Sequence, residues 1–135
     1  TYNNNGQLLS MFRSEGNERT TIKYEAGNIV STTEKAVNGT RNKTHKVYYT
    51  SQSVPSPIVN KGCIMLFDTT LGIDMDEMQY AYFAGLLGKA TKHLPVRLVG
   101  NEGEEESFAW HLNASGYPTS MVRSHAPNWT NTFTW

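Results

Sequence analysis

A change of hydrophobic period, coinciding with a change in the sign of charge, constrains this chain more than any other feature. From Arg19 to Lys61 the residues alternate as successive strands do, with Arg19, Lys23, Lys35, Arg41, Lys43, Lys46 and Lys61 set against only Glu25 and Glu34. From Asp74 to Trp135 seven acids outnumber four bases, and alternation gives way to a helical pattern. A formal net charge of zero thus conceals a basic sheet followed by a mildly acidic helical half, an asymmetry that points to a polyanionic partner.

The 135 residues suffice for one domain with a real core. With 38% hydrophobic and 18% charged residues, the composition is that of a chain that folds. The single Cys63 excludes an internal disulfide and reads as a small buried hydrophobe in a reducing compartment. No apolar run approaches the roughly 18–20 residues of a membrane-spanning helix, and no signal-peptide pattern opens the sequence. Four N-x-[ST] triplets, at Asn38, Asn42, Asn113 and Asn128, are expected by chance in an Asn- and Thr-rich chain.

Strands come first. Gln7 to Arg13 reads as a short strand closed by the loop residues Ser14 to Asn17. Thr20 to Glu25 alternates cleanly, with Thr20, Ile22 and Tyr24 on one face and Arg19, Thr21, Lys23 and Glu25 on the other, and stops at Ala26-Gly27-Asn28. Ile29 to Val37 follows, then the Asn38-Gly39 hairpin signal, then Thr44 to Val54. Pro55 and Pro57 impose an extended loop, since proline removes a ladder donor and restricts its predecessor. Gly62 to Thr69, a continuous apolar run, reads as a buried strand.

A long helix is expected from Asp74 to His93, with Asp74 and Glu77 as a capping pair and Asp76 near the positive end of the dipole. Met75, Met78, Tyr82 and Leu86 share one face, and Tyr80, Phe83, Leu87 and Ala90 widen it until nearly the whole circumference is apolar. Gly85 and Gly88 are unfavourable inside a helix and imply close approach of another backbone. After Pro95, Val96 to Val99 forms a short apolar segment and Glu104 to Asn113 a second helix. Gly116 to Trp135 is an aromatic, aperiodic tail, expected to be extended and ordered against a neighbouring subunit.

Catalytic chemistry is thin. His45, His93, His111 and His125 lack metal-binding spacing, and one cysteine cannot build a zinc site, so no metal or cofactor is expected. Cys63 lies in a run that would keep its thiol protonated. Glu104-Glu105-Glu106 reads as a solvated helix start, and no glycine-rich phosphate loop is present. The chain is expected not to be an enzyme.

The polar sides of the strands are more informative: Arg19, Thr21 and Lys23, then Ser31, Thr33 and Lys35, then Lys46, Tyr48 and Thr50. On neighbouring strands they would combine cations, hydroxyls and an aromatic, the ingredients of an RNA-binding face. An ordinary solvated sheet face favours the same residue types.

The stretches "NGTRNKTHKVYYTSQSVP", "KGCIMLFDTT" and "DEMQYAYFAGLLGKATKHLPVRLVG" resemble, in order and texture, the central hairpin, last long strand and first C-terminal helix of the coat proteins of single-stranded RNA bacteriophages, the leviviruses. The resemblance covers roughly residues 20 to 100. It implies an α+β fold: an antiparallel sheet of about five strands behind a short N-terminal strand region, then C-terminal helices packing across a dimer partner. It also implies one domain, with an arm over 1–18, a basic sheet over 19–70, a helical region over 74–113 and a tail over 114–135. Such a subunit would dimerise through Met78, Tyr82, Phe83, Leu86 and Leu87 and assemble into an icosahedral virion in the bacterial cytoplasm. Single-stranded RNA would be held by Lys23, Ser31, Thr33, Lys35, Lys46, Tyr48 and Thr50, with no membrane partner and no small-molecule substrate. The alternatives are a carbohydrate-binding B subunit of an oligomeric bacterial toxin and a small single-stranded RNA-binding module.

Overall fold

The computed structural model describes residues 1–14, 17–36, 42–74, 80–81 and 84–135. They form one antiparallel meander of eight strands, each hydrogen-bonded to the next in sequence. The strands are β1 (Ser10–Arg13), β2 (Glu18–Glu25), β3 (Asn28–Ala36), β4 (Asn42–Tyr48), β5 (Arg97–Gly100), β6 (Glu105–Leu112), β7 (Pro118–Arg123) and β8 (Ala126–Thr132), with one short helix, α1 (Phe67–Leu71), between β4 and β5.

Alternation dictates the two faces. In β2, Thr20 and Ile22 are buried while Arg19, Thr21, Lys23 and Glu25 are exposed. Antiparallel register carries this across the sheet: Ile22 pairs with Thr32, Thr32 with His45, Val47 with Leu98, Leu98 with Glu106, and Trp110 with Met121. These side chains form the inner face, against which α1 packs. The β2–β3 connection is tight because Ala26 (φ 50°) and Gly27 (φ 83°) both take left-handed conformations, the pair of positive angles that a two-residue hairpin loop requires.

The core joins Ile22, Ile29, Val47, Leu98, Phe108 and Met121 of the sheet to Phe67, Leu71 and Ile73 of the α1 segment. Phe67, Thr70 and Leu71 are the buried positions of α1, at the i, i+3, i+4 spacing of one helix face. Gly72 ends the helix in the left-handed region and donates its N–H to the Phe67 carbonyl. The Thr32 hydroxyl ties the helix to β3 by donating to the Leu71 carbonyl at 2.7 Å.

The expected α+β architecture of about five strands and C-terminal helices is therefore corrected to a nearly all-β meander of eight strands. Gly62 to Thr69 is not a strand: Gly62 and Cys63 take positive φ, and the apolar run that follows turns into α1. Cys63 is exposed, not buried. The helix expected over Asp74 to His93 does not run through: Tyr80 and Ala81 are helical, but residues 84–87 are turns and the chain beyond is irregular up to β5. Gly85 and Gly88 interrupt it with positive φ, and Gly88 lies so close to the backbone of Gly6 and Leu8 that a Cβ would sit 2.8 Å from the Leu8 nitrogen. Met75, Met78, Tyr82 and Phe83 lie outside the described residues, as does the Asn38-Gly39 turn.

Glu104 to Asn113 is strand instead of helix: Glu106, Phe108 and Trp110 alternate inward and Glu105, Ser107 and Ala109 outward. The tail is β7 and β8. Met121 is fully buried, Trp110 stacks on Phe133 at 6.0 Å, and Trp135 lies 5.2 Å from Tyr117 and donates its indole N–H to the Pro118 carbonyl at 2.6 Å. These aromatics anchor the chain's own sheet, so the expected inter-subunit role of the tail is dropped.

Candidate functional site

Where β3 and β5 finish and β4 and β6 begin, the inner face changes from apolar to charged. Beyond Leu98, Glu34, Lys43, His45, Glu104, Glu106, Arg123 and His125 line a cleft of about 450 Å³, with Asp68, Gly72 and Asp74 from the α1 segment as its other wall. Five carboxylates (Glu34, Asp68, Asp74, Glu104 and Glu106) face two fixed cations, Lys43 and Arg123, while Glu105 reaches only the rim and pairs with Arg97 on the outer face. The cleft therefore favours a cationic group, although among the described residues no cluster of three or more His, Cys, Asp or Glu is placed to hold a metal ion.

Glu34 is the deepest of these acids, 5% exposed on β3. Its Oε1 accepts the Asp74 N–H at 2.6 Å, and its carboxyl shares a hydrogen bond with Glu18. Burial, followed by the charges of Glu18 and Asp74, holds the carboxyl above the usual carboxylate range, against the pull of the Asp74 N–H. Arg13 closes the cluster, donating to Glu18 at 2.6 Å and approaching Asp74 at 3.4 Å. Burial alone would lower its pKa, but the Glu18 hydrogen bond and the surrounding carboxylates leave it raised.

His45, on the neighbouring strand β4, shares the sheet wall with Glu34 and faces the α1 segment. Its Nε2 lies 3.7 Å from Glu104 Oε1, while its buried Nδ1 has no partner among the described residues. The ring lies so close over Gly72 that a Cβ there would sit 2.4 Å from Nδ1. The Glu104 carboxylate folds over Gly100 in the same way, 1.8 Å from where a Cβ would be. Desolvation lowers the His45 pKa despite Glu104. Nearby, Glu106 Oε1 lies 3.9 Å from Arg123 Nε and accepts the His125 N–H at 3.3 Å. Nothing in this arrangement pairs a nucleophile with a base; it is a polar recess that can hold a small charged group.

The residues expected to bind RNA lie elsewhere, on the outer face. Lys23 pairs with Ser31 and Ser31 with Lys46, Arg19 pairs with Lys35, and Thr33 with Thr44, so Lys23, Ser31, Thr33, Lys35 and Lys46 do share one surface. Tyr48 joins it at the β4–β5 edge, under the Arg97 guanidinium at 4.7 Å. Thr50 lies beyond β4, outside the ladder. Of the expected dimer residues within the described chain, Leu87 is buried in the subunit's own core and Leu86 is exposed. The cleft itself was missed, because Glu104 to Glu106 read as a solvated helix start and the histidines lack metal-binding spacing. The alternation of Lys43 and His45 against Lys46 was the available signal.

Comparison with known proteins now identifies the family. Residues 1–120 match the family described as a domain of unknown function (DUF4595) with porin-like fold, and the chain belongs to that family. No curated protein matches it. Among solved structures it is similar to a porin-like protein from Bacteroides uniformis, with a TM-score of 0.54 and 16% identity over 97% of this chain and 64% of that one. The likeness is one of fold, and the chain spans only that 64% of its neighbour's length. The coat-protein resemblance is thereby overturned, and with it the virion, the intertwined homodimer, the packaged RNA, the toxin B subunit and the RNA-binding module. Strand order and a basic hairpin are shared by many antiparallel sheets, which is why the texture misled.

Proposed function

We propose that this member of the porin-like-fold family is a water-facing binding domain of the bacterial cell envelope, neither an enzyme nor a lipid-embedded pore, with the acid-rich cleft as its ligand site. The envelope assignment rests on the porin-like fold alone. The observation that carries the rest is the polarity of the sheet. A membrane barrel presents apolar side chains outward and polar ones inward, and a Lys or Arg facing lipid at mid-depth costs about 2–4 kcal/mol. Here the outer face of β2–β4 carries Arg19, Lys23, Lys35 and Lys46, while the inner face holds the core.

Strand length agrees. Crossing a bilayer takes roughly 9–11 residues per strand, a length that β3 reaches with nine, whereas β1 and β5 have four each. Among the described residues no helix is long and apolar enough to cross a membrane, which says nothing about strands. The α1 segment packs into the inner face where a pore would run.

The test is to purify the chain without detergent and apply it to planar bilayers. A folded species by near-ultraviolet circular dichroism, with no conductance steps, is the expected result. Folding only in detergent, or discrete channel openings, would overturn the proposal. For the cleft, calorimetry with a small diamine should register binding that Glu104→Gln with Glu106→Gln weakens.

A further inference from the structure

We propose that the outer face of β2–β4 docks on an anionic, phosphate-rich lipid surface, making the domain a peripheral membrane binder. The proposal goes beyond the reading above and uses only its premise that this face meets water.

The register sets four cations on one surface. Lys23 and Lys46 flank Ser31 on either side of β3, and Arg19 stands directly opposite Lys35. Like charges opposite one another weaken a sheet, and sheets usually place opposite charges there. The same outer face does this at β5–β6, where Arg97 meets Glu105 at 2.6 Å. Across β2–β4, by contrast, Lys23, Lys35 and Lys46 are exposed and make no ion pair among the described residues. With Arg19 these make four cations on a face where Glu25, at the hairpin end of β2, is the one exposed acid among the described residues of β2–β4, and such a cationic excess calls for an anion from outside.

The layout favours a surface over a single small anion. The cations are spread across three strands, two strand spacings or roughly 10 Å wide, and do not converge on a cavity. Thr21, Thr33 and Thr44 run between them as a row of hydroxyls. Two exposed aromatics lie at diagonal margins of the patch: Phe12 on β1, beneath Arg19 at 5.7 Å, and Tyr48 at the far end of β4. Cations beside half-exposed aromatic rings suit the boundary between headgroups and acyl chains. Docked this way, the molecule leaves its acid-rich cleft, built on the inner face, turned away from the membrane charge.

Co-sedimentation with vesicles tests this directly, comparing mixed phosphatidylglycerol and phosphatidylcholine with phosphatidylcholine alone. The wild-type chain should bind only the anionic vesicles, less so as salt rises. The combined Lys23→Glu, Lys35→Glu and Lys46→Glu variant should bind at least about tenfold more weakly, since each cation near such a surface contributes severalfold. Lys92→Glu, an exposed lysine off the patch, should bind as wild type does, and circular dichroism should show all variants folded. Equal binding by the triple variant, no binding by the wild type, or capture by soluble polyphosphate or RNA without vesicle binding would each overturn the proposal. The water-facing reading would survive any of these results, because it depends on detergent-free folding and the lack of conductance.

Discussion

Glu34 and His45 stand on adjacent strands of the cleft's sheet wall and push stability in opposite directions with pH. The Glu34 pKa is raised above its ordinary 4.5, so the native state holds that proton more tightly than the unfolded chain does. Its contribution is fully present below 4.5 and is lost as pH rises through the raised value. Glu34→Gln keeps an acceptor for the Asp74 N–H and removes the buried charge. It should raise the urea midpoint at pH 7, by the order of 1 kcal/mol usual for such changes, with the gain vanishing near pH 4. The His45 pKa is lowered from 6.5, so the unfolded chain takes up the proton first and stability falls as pH drops below 6.5. A proton NMR titration should place the His45 midpoint below that value, and a midpoint above it would contradict the buried placement.

At the scale of the element, α1 is where packing overrides local pattern. Leu71 is 1% exposed, so Leu71→Ala should destabilise by about 2–5 kcal/mol. Gly72→Ala should also lower the melting temperature, because it strains a left-handed position (φ 67°) and drives a methyl into the His45 ring. A variant as stable as wild type would mean that the ring is not held over Gly72. The period-2 strands were legible because β2, β3 and β4 bury one face and wet the other, and the Ala26-Gly27-Asn28 stop fell where the hairpin turns. The helices were overread for two physical reasons. Apolar residues around 78–87 recur at helical spacing, but Gly85 and Gly88 supply positive-φ turns that no periodicity reveals. The acids at 104–106 imitate a helix start, when β6 places them on alternate faces at the cleft mouth. The outer basic row was legible from alternation alone; the cleft was not, since it is assembled by residues more than sixty positions apart.

For the whole molecule, the meander makes each strand dependent on its neighbours, and β7 belongs to the core through Met121. Truncation after Ser115 would remove Met121 and uncover Phe108 and Trp110, so it should abolish cooperative thermal unfolding; a near-native melt would show that β7 and β8 are dispensable. The central claim is that the sheet turns its charged face to water and its apolar face to a filled interior. Single cysteines at Thr21, Thr33 and Lys46, against others at Ile22 and Val47, in a Cys63→Ser background and detergent-free buffer, test it most directly. The account predicts rapid modification of the first three by a membrane-impermeant thiol reagent and protection of the last two until the protein unfolds. Uniform protection of the outer positions, or rapid labelling of Ile22→Cys and Val47→Cys in the folded protein, would contradict it.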